Sequence, residues 1–303
     1  MPQFITVFKQ FSNLIFTFQS NLAIAWVMLQ LKGKPVAESI YNQIKEKLKA
    51  HTSKPHLAVI LVGGDPASQV YVSHKQKACE HLGFHSTLVA LPEKTTAADL
   101  TQKINELNKN SGINAILLQL PLPAHLDSKK MSDLIAPDKD ADSLTTTSLG
   151  LIMAGRQKIS SCTPSGIIEI LKFYNISVAN KNVLVIGRSL IVGLPLFHLL
   201  LQENATVTVA HSKTENLKDL VKNFDFVFVA VGRAHFLKAT DFKKDAVVVD
   251  VGIHRQSTGL VGDVNPEGGE GHLKALTPVP GGVGPMTIAM LMQNTYKLSE
   301  LKP

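Results

Sequence analysis

Three polar side chains are spaced so that they could meet in one cleft. Tyr71 and Lys75 are four residues apart on a predicted helix, so they share one of its faces. Gln119 ends a predicted strand, directly before Leu120-Pro121-Leu122-Pro123. Open α/β sheets bind ligands beyond the carboxyl ends of their strands, which is where all three residues fall. A lysine in a partly dry cleft has a lowered pKa and can transfer protons near neutral pH, whereas the plainer alternative is a solvated lysine beside a half-buried tyrosine.

Two carboxylates, Asp140 and Asp142, lie further along the chain in a polar stretch and could bind a ring rich in hydrogen-bond donors. A solvated loop is the alternative. The eleven histidines include no helical pair with metal-ligand spacing, and Cys79 and Cys162 form neither a disulfide framework nor a ligand pair. We therefore expect no metal site and a reducing, cytosolic environment.

A possible phosphate-binding turn lies between residues 183 and 195. Four apolar residues predict a buried strand, Gly187 permits a tight turn, and Gly193 opens a helix. This order directs backbone N–H groups and a positive helix end towards a phosphate. The glycine spacing differs from the G-x-G-x-x-G fingerprint and from the P-loop, so an ordinary turn remains the alternative.

The end of the next predicted strand indicates which dinucleotide would bind. Sites for NAD usually carry an acid there, which bonds the ribose 2′-hydroxyl. Here the strand ends in Ala210-His211-Ser212-Lys213-Thr214, and Arg188 stands in the first turn. Cations and hydroxyls suit a 2′-phosphate, so NADP is predicted in preference to NAD.

Strands alternate with helices along most of the chain, which predicts doubly wound parallel sheets. The first unit has a helix ending near His51, a second helix capped by Ser68 and ended by Gly83, and strands at 56–62, 86–91 and 115–118. A polar stretch, 137–150, separates it from a unit with a helix from Thr163 and strands at 183–186, 205–210, 226–231 and 246–251. A loop at 277–285 and a final helix, 286–298, return to the first unit.

The composition sets broad limits on partners. The chain has 303 residues, 45% of them apolar and 18% charged, with a formal charge of +7. This length allows two globular domains. No basic run is interleaved with aromatics, so an anionic small molecule is expected rather than nucleic acid.

Residues 1–27 differ in pattern from the rest of the chain and are expected to lie outside the fold. Their phenylalanines recur at helical spacing with a single charge, Lys9, and polar residues interrupt the apolar runs. Signal peptide, transit peptide and stable membrane insertion are disfavoured. Three interpretations stay open: sequence upstream of a start at Met28, an amphipathic surface or partner helix, or a degenerate targeting segment.

Eight stretches, in this order, resemble the bifunctional methylenetetrahydrofolate dehydrogenase/methenyltetrahydrofolate cyclohydrolase family. The resemblance spans roughly residues 29–301. It rests on Val62-Gly-Gly-Asp-Pro-Ala-Ser68 with Tyr71-Val-Ser-His-Lys75, Gln119-Leu-Pro-Leu-Pro123, Lys139-Asp-Ala-Asp142, Cys162-Thr-Pro164, Gly187-Arg-Ser-Leu-Ile-Val-Gly-Leu-Pro195, His211-Ser-Lys-Thr214, Val261-Gly-Asp-Val264 and Thr277-Pro-Val-Pro-Gly-Gly-Val-Gly-Pro-Met-Thr287.

The resemblance implies an enzyme with two α/β lobes and a cleft between them, the second lobe being Rossmann-like. We expect a catalytic folate-binding domain at 28–147 plus 286–303 and an NADP-binding domain at 148–285. The implied reactions are oxidation of 5,10-methylenetetrahydrofolate with NADP and hydrolysis of the methenyl product to 10-formyltetrahydrofolate. A cytoplasmic homodimer serving one-carbon metabolism and purine biosynthesis is also implied.

The resemblance also assigns roles to residues. Lys75 would carry the proton transfers of the hydrolysis, Gln119 would tune it, Tyr71 would pack on the substrate, and Asp142 would anchor its pterin. The further folate-side residues are Leu118, Leu120, Pro280, Gly281, Gly282, Val283 and Gly284. The NADP side consists of Gly187, Arg188, Ser189 and Ser212, with Ile253 near the nicotinamide.

The sequence departs from the family after Asp142. Ser143 stands where relatives carry glycine, and Ser148 where an asparagine is expected. If position 143 has a positive φ, a serine there costs about 1 kcal/mol or more, which puts folate affinity in doubt. Two alternatives therefore remain: an enzyme with dehydrogenase activity alone, and a non-catalytic protein that binds NADP and a partner.

Overall fold

The computed structural model describes residues 27–50, 53–257 and 259–301. The interpretations of residues 1–26 and the predicted helix end at His51 lie outside the described residues. Two parallel sheets, flanked by helices, form two α/β lobes. The predicted fold class is confirmed.

The first lobe is built on a three-stranded parallel sheet in the order β3-β2-β4. Its strands are β2 (His56–Val62), β3 (His85–Leu91) and β4 (Ala115–Leu118). Around it lie helices α1 (Gly33–Leu48), α2 (Pro66–Leu82), α3 (Ala97–Lys109) and the short α4 (Ser128–Ser132). The central strand β2 is apolar and buried because it has a neighbour on each side and helices above and below.

The second lobe contains a six-stranded parallel sheet in the order β1-β13-β9-β7-β5-β6. Its strands are β1 (Leu29–Gln30), β5 (Asn182–Ile186), β6 (Thr206–Ala210), β7 (Phe226–Val229), β9 (Val247–Asp250) and β13 (Ala275–Leu276). Two small pairs accompany it: β8 (Leu237–Lys238) with β12 (Val264–Asn265), and β10 (His254–Gln256) with β11 (Gly259–Val261). The described chain thus begins at the edge of the second sheet and only then enters the first lobe.

The remaining helices follow the first lobe in the chain. They are α5 (Thr146–Met153), α6 (Cys162–Phe173), α7 (Gly193–Gln202), the short α8 (Leu217–Leu220) and α9 (Val283–Glu300), with 3-10 turns at Val221–Asn223 and Ala239–Asp241. Helix α9 packs against α1, α2 and α6 and touches β2 and β4, so it returns to the first lobe as predicted. One core cluster runs from Leu57 and Val59 through Met286 and Met290 to Val183, which makes the hydrophobic core continuous between the lobes.

Two predictions about the starts of helices are wrong. Asp65, not Ser68, caps α2: its carboxylate accepts the Ser68 N–H at 2.7 Å, and Pro66 takes the first helical position. Helix α9 begins at Val283 rather than 286, because Pro285 fits within a first helical turn, where its missing N–H is not needed.

The polar stretch 137–150 is not a solvated loop. It contains the start of α5 and several buried residues, among them Lys139, which is 3% exposed. The Lys139 ammonium donates to the carbonyls of Leu107, Asn108 and Asn110 at 2.9, 2.7 and 2.7 Å. A cation there satisfies the unpaired carbonyls at the carboxyl end of α3. The polar composition of 137–150 therefore does not indicate that its residues are exposed to solvent.

Within the described ranges, no helix is both long and apolar enough to cross a membrane.

Candidate active site

Lys75 is a buried amine in the interior of α2. Its side chain is 8% exposed, and Nζ donates to Gln119 Oε1 at 2.7 Å. Burial lowers the pKa of Lys75, and the charge of Asp142 acts in the opposite direction. The predicted convergence of a lysine and an amide is therefore present, and the solvated alternative for Lys75 does not hold.

Gln119 directly follows β4, and hydrogen bonds to main-chain carbonyls fix both its backbone and its side chain. Its N–H donates to the Ile60 carbonyl at 2.9 Å, which extends the pairing of β4 with β2 by one residue. The side-chain Nε2 donates to the Leu120 carbonyl at 2.6 Å, so the amide oxygen is the atom turned towards Lys75. A neutral acceptor holds the amine in place without the full charge of a carboxylate.

Asp142 reaches the same place by a different route. The segment before it pairs with β4: the Ile116 N–H donates to Lys139 O at 2.7 Å, and the Ala141 N–H donates to Ile116 O at 3.2 Å. Asp142 is half-buried, and its Oδ1 accepts the Cys162 N–H at 3.2 Å. Burial raises the pKa of Asp142, while hydrogen bonds from Cys162 and the charge of Lys75 lower it.

Asp140 does not share this position. It is 2% exposed, and its Oδ2 accepts the Thr145 N–H at 2.8 Å. Asp140 therefore stabilises the loop that carries Asp142. Of the two carboxylates, Asp142 is the one whose charge raises the pKa of Lys75.

Tyr71 lies one helical turn before Lys75 and is 37% exposed. An open aromatic ring next to a buried amine could pack on a flat ligand. Of the two leucines that flank Gln119, Leu118 is buried and Leu120 is half-buried.

Ser143 has the positive φ on which the expected strain depended. Its φ is 52°, it is fully buried, and its Oγ has no hydrogen-bond partner among the described residues. Its carbonyl accepts the Ser161 hydroxyl at 3.3 Å. Ser148 instead is satisfied, since its hydroxyl accepts that of Thr145 at 2.9 Å. Of these two departures from the family, Ser143, which directly follows Asp142, is the strained one.

The glycine-rich loop before α9 turns back on α1. The Gly33 N–H donates to Gly281 O at 2.8 Å, and Gly281 has a φ of 103°. Pro280 and Gly284 are exposed, whereas Val283 belongs to the hydrophobic core and Gly282 is buried. Of these five predicted substrate residues, the exposed ones could line a cleft, and the buried ones shape the turn.

The predicted phosphate turn begins where β5 ends. Gly187 has a φ of 133°, and a Cβ there would lie 2.3 Å from Ala230 O; a Cβ at Gly193 would lie 2.1 Å from Gly187 O. Ser189 Oγ accepts the N–H groups of Val192 and Gly193 at 3.1 and 3.4 Å, so this hydroxyl stabilises the turn that leads into α7. The exposed Arg188 stands beside this turn.

The other residues predicted for the NADP side lie at the same sheet edge. Ser212 is exposed in a turn after β6, where the His211 N–H donates to Thr214 Oγ1 at 2.9 Å. Ile253 comes shortly after β9 and is 43% exposed. Because β6 and β5 are neighbours, Arg188 and Ser212 lie at the ends of adjacent strands, as a bound 2′-phosphate would require.

Sequence reasoning missed a buried carboxylate that organises this edge. Asp263 is fully buried and accepts the N–H groups of Val231, Gly232 and Arg233 at 2.7, 3.0 and 2.9 Å, and His254 Nε2 at 2.7 Å. The available signal was the stretch Val261-Gly-Asp-Val264, which the sequence analysis matched to the family without giving Asp263 a role.

Asp250 completes this network. Its oxygens accept the N–H groups of Gly252, Asp263 and Val264 at 2.9, 3.0 and 2.9 Å. Burial raises the pKa of Asp250 to about 6, against these three donors, which lower it. The two carboxylates tie the loops after β7 and β9 together.

Two family models match the chain. The catalytic domain of tetrahydrofolate dehydrogenase/cyclohydrolase matches residues 31–142, and the NAD(P)-binding domain of the same family matches residues 161–302. Among curated proteins, the bifunctional protein FolD of Bdellovibrio bacteriovorus is 49% identical over 280 residues, covering 90% of this chain and 97% of that protein.

Two solved structures are also similar. The bifunctional FolD methylenetetrahydrofolate dehydrogenase/cyclohydrolase of Campylobacter jejuni superposes with a TM-score of 0.87 at 41% identity, covering 90% of this chain and 99% of that one. The enzyme of Trypanosoma brucei, solved with NADP and an inhibitor, gives 0.85 at 34% identity, covering 90% and 98%.

Proposed function

Because the chain belongs to the tetrahydrofolate dehydrogenase/cyclohydrolase family, we propose that one cleft between its lobes oxidises 5,10-methylenetetrahydrofolate with NADP and hydrolyses the product. The chain is an NADP-dependent methylenetetrahydrofolate dehydrogenase and a methenyltetrahydrofolate cyclohydrolase. The observation that carries the proposal is the buried Lys75–Gln119 pair beside Asp142.

The nucleotide side fits NADP. Gly187 and Gly193 allow a tight turn in which a Cβ would clash with backbone carbonyls, and the edge carries Arg188 and Ser212 where an NAD site usually has an acid. Bound NADP supplies the hydride acceptor of the first reaction. The folate nitrogen supplies the electrons that stabilise the resulting cation, so this side of the cleft has to bind and align two rings.

The hydrolysis depends on the chain's own proton chemistry. Water adds to the methenyl carbon and loses one proton. As one carbon–nitrogen bond then breaks, the hydroxyl loses its proton to become the formyl oxygen and the departing nitrogen takes up a proton, which gives 10-formyltetrahydrofolate and releases one proton overall. We assign the proton transfers to Lys75, since burial brings the pKa of its amine down from the ordinary range of lysine. Gln119 orients the amine, Tyr71 packs on the substrate, and Asp142 anchors the pterin.

A spectrophotometric assay with methylenetetrahydrofolate and NADP tests the proposal. We expect the methenyl chromophore to appear and then decay to the 10-formyl compound, faster with NADP than with NAD. NADP binding without turnover of any reduced folate would contradict the proposal and favour the non-catalytic alternative.

A narrower candidate is a dehydrogenase without useful cyclohydrolase activity. The positive φ of Ser143, which adjoins Asp142, is the observation that favours it. In that case the methenyl chromophore would accumulate without decay, and Ser143→Gly would restore the decay.

The proposal also covers the division of the chain into domains, its assembly and its cellular setting. We propose a folate-binding domain at 28–147 plus 286–303 and an NADP-binding domain at 148–285, with the exception that Leu29–Gln30 pairs within the second sheet. A homodimer, a cytoplasmic location and a role in purine biosynthesis rest on family likeness. Light scattering of the purified full chain tests the first of these: a mass of one chain would contradict it.

A further inference from the structure

A buried amide on the last helix reaches the segments that hold Asp142. Asn294 is 1% exposed and lies in the interior of α9. Its Nδ2 donates to Ala141 O at 2.9 Å and to Ser160 O at 2.8 Å, and it contacts Cys162 Sγ at 3.5 Å. One amide group thus joins two segments more than 130 residues away in the sequence.

Each of these contacts ends close to Asp142. Ala141 is its neighbour in the chain, and Cys162 donates its N–H to Asp142 Oδ1 at 3.2 Å. The Cys162 thiol donates to Ala141 O at 3.5 Å, which closes a small ring of interactions around the amide. A shift of either segment would therefore move the Asp142 carboxylate.

The amide itself is held firmly by the packing of α9 on α6. Thr163 and Thr287 share a hydrogen bond of 2.9 Å between their hydroxyls. The helices approach so closely at Gly166 that a Cβ there would lie 2.6 Å from Met286 Cβ. Asn294 thus projects from a support that is fixed relative to the first turn of α6.

We propose that Asn294 is a positioning residue for Asp142: its amide joins Ala141 to the segment before Cys162 and so sets the carboxylate that anchors the folate. This inference rests on the proposed function, in which Asp142 anchors the pterin. Asn294 touches neither substrate nor cofactor and acts through the loop.

The experiment compares Asn294→Ala with Thr295→Val in the full chain, with NADP and methylenetetrahydrofolate as substrates. Thr295 is fully buried on the same helix, but its hydroxyl donates only within α9, to Leu291 O at 2.8 Å. We expect Asn294→Ala to raise the KM for folate about tenfold, within the range typical of coupled residues in one network. The KM for NADP should stay within about twofold of wild type, because the contacts of Asn294 end at Ala141, Ser160 and Cys162 and do not reach the residues predicted for the NADP side.

For Thr295→Val, both KM values should equal those of wild type. Equal folate KM values for Asn294→Ala and wild type, or equal rises in both KM values, would overturn the proposal. Should Asn294→Ala fail to fold, Asn294→Ser, which keeps a small donor, takes its place.

A double-mutant cycle with Asp142→Asn separates positioning from general stability. If Asn294 acts through Asp142, the double variant should have the folate KM of Asp142→Asn alone. Multiplied effects of the two changes would contradict the inference. Failure of the wild type to turn over methylenetetrahydrofolate would instead contradict the proposed function, so the two failures are distinguishable.

Discussion

The chemistry of single residues is concentrated in Lys75, which is buried at 8% exposure and bonded to a neutral amide oxygen. Such a site stabilises the neutral amine relative to water and keeps its position fixed. A carboxylate at the same distance would hold the proton far more strongly. The amide therefore suits a group that must both accept and release a proton.

Replacing Lys75 by methionine should abolish the hydrolysis and spare the nucleotide side. Methionine keeps the length and apolar stem of lysine but cannot transfer protons, so we expect a loss of about 100-fold or more in cyclohydrolase rate. NADP affinity, measured by fluorescence titration, should not change. Lys77→Met is the matched control, because Lys77 is exposed on the same helix. Wild-type hydrolysis by Lys75→Met would refute the assignment.

The pH dependence of hydrolysis should report the charge of Asp142. That charge raises the pKa of Lys75 against the larger effect of burial, which lowers it. Asp142→Asn removes the charge, so the pKa of Lys75 falls and its limb of the kcat–pH profile moves to lower pH. The measurement is kcat at saturating folate, with the exposed Asp138→Asn as control. A shift to higher pH would contradict this electrostatic account.

Ser143 is a position at which a substitution should stabilise the protein. Its φ of 52° favours glycine, and its buried Oγ has no partner among the described residues. We expect Ser143→Gly to raise the free energy of unfolding by about 1 kcal/mol, and Tm by a few degrees. Asn175→Gly is the control: its φ is 55°, but asparagine tolerates that region, so its gain should be smaller. Calorimetry checks both, and destabilisation by Ser143→Gly would contradict the strain.

The sequence predicted which side chains meet in the site where they lie at the ends of adjacent strands. It did not predict this where a side chain turns into the interior. Lys75 and Gln119 converge because α2 and the end of β4 both adjoin β2. Asp140 could not be told from Asp142 by pattern, because only the pairing with β4 shows that Asp140 turns inward. The roles assigned to the site residues remain predictions.

At the scale of elements, the loops after β7 and β9 are tied together by two buried carboxylates, Asp263 and Asp250. Three consecutive N–H groups, from Val231 to Arg233, converge on Asp263. Strand periodicity identifies β7 and β9 but not this loop, since no local pattern indicates which distant acid accepts those donors. The start of α5 within 137–150 was missed for a similar reason. A sequence of polar residues is typical of a solvated loop, and the partners that allow these residues to be buried are distant in the sequence.

Removing the Asp263 carboxylate should weaken both the fold and NADP binding. Asp263→Ala leaves three N–H groups and His254 without their acceptor, which should cost about 3–5 kcal/mol. Loosened loops should raise the Kd for NADP more than the Kd for folate. Asp219→Ala is the control, because its ion pair with Lys222 is exposed and worth about 0–1 kcal/mol. Equal denaturation midpoints for the two variants would contradict the role of Asp263.

At the scale of the whole molecule, α1, α6 and α9 connect the two sheets through one hydrophobic core. The described chain begins in the second sheet, crosses to the first, and returns through α9, so neither lobe is formed by one continuous segment. Alternation of strands and helices predicted both sheets. It could not predict β1, because two paired residues carry no periodicity.

The first described residues allow a test of the prediction that residues 1–27 lie outside the fold. Val27 is 80% exposed, whereas Met28 is 4% exposed in a core cluster and donates its N–H to Glu270 at 3.0 Å. Leu31 is fully buried. A chain that starts at Met28 should therefore keep the Tm and turnover of the full chain, because the contacts that begin at Met28 are retained.

A chain that starts at Lys32 provides the contrast. It lacks β1 and two buried side chains, Met28 and Leu31, each worth about 1.5–3 kcal/mol. We expect its Tm to fall by about 6 °C or more, since about 1 kcal/mol corresponds to 2–4 °C in a domain of 150–250 residues. If instead the chain starting at Met28 lost as much stability as the one starting at Lys32, residues 1–27 would have to belong to the fold.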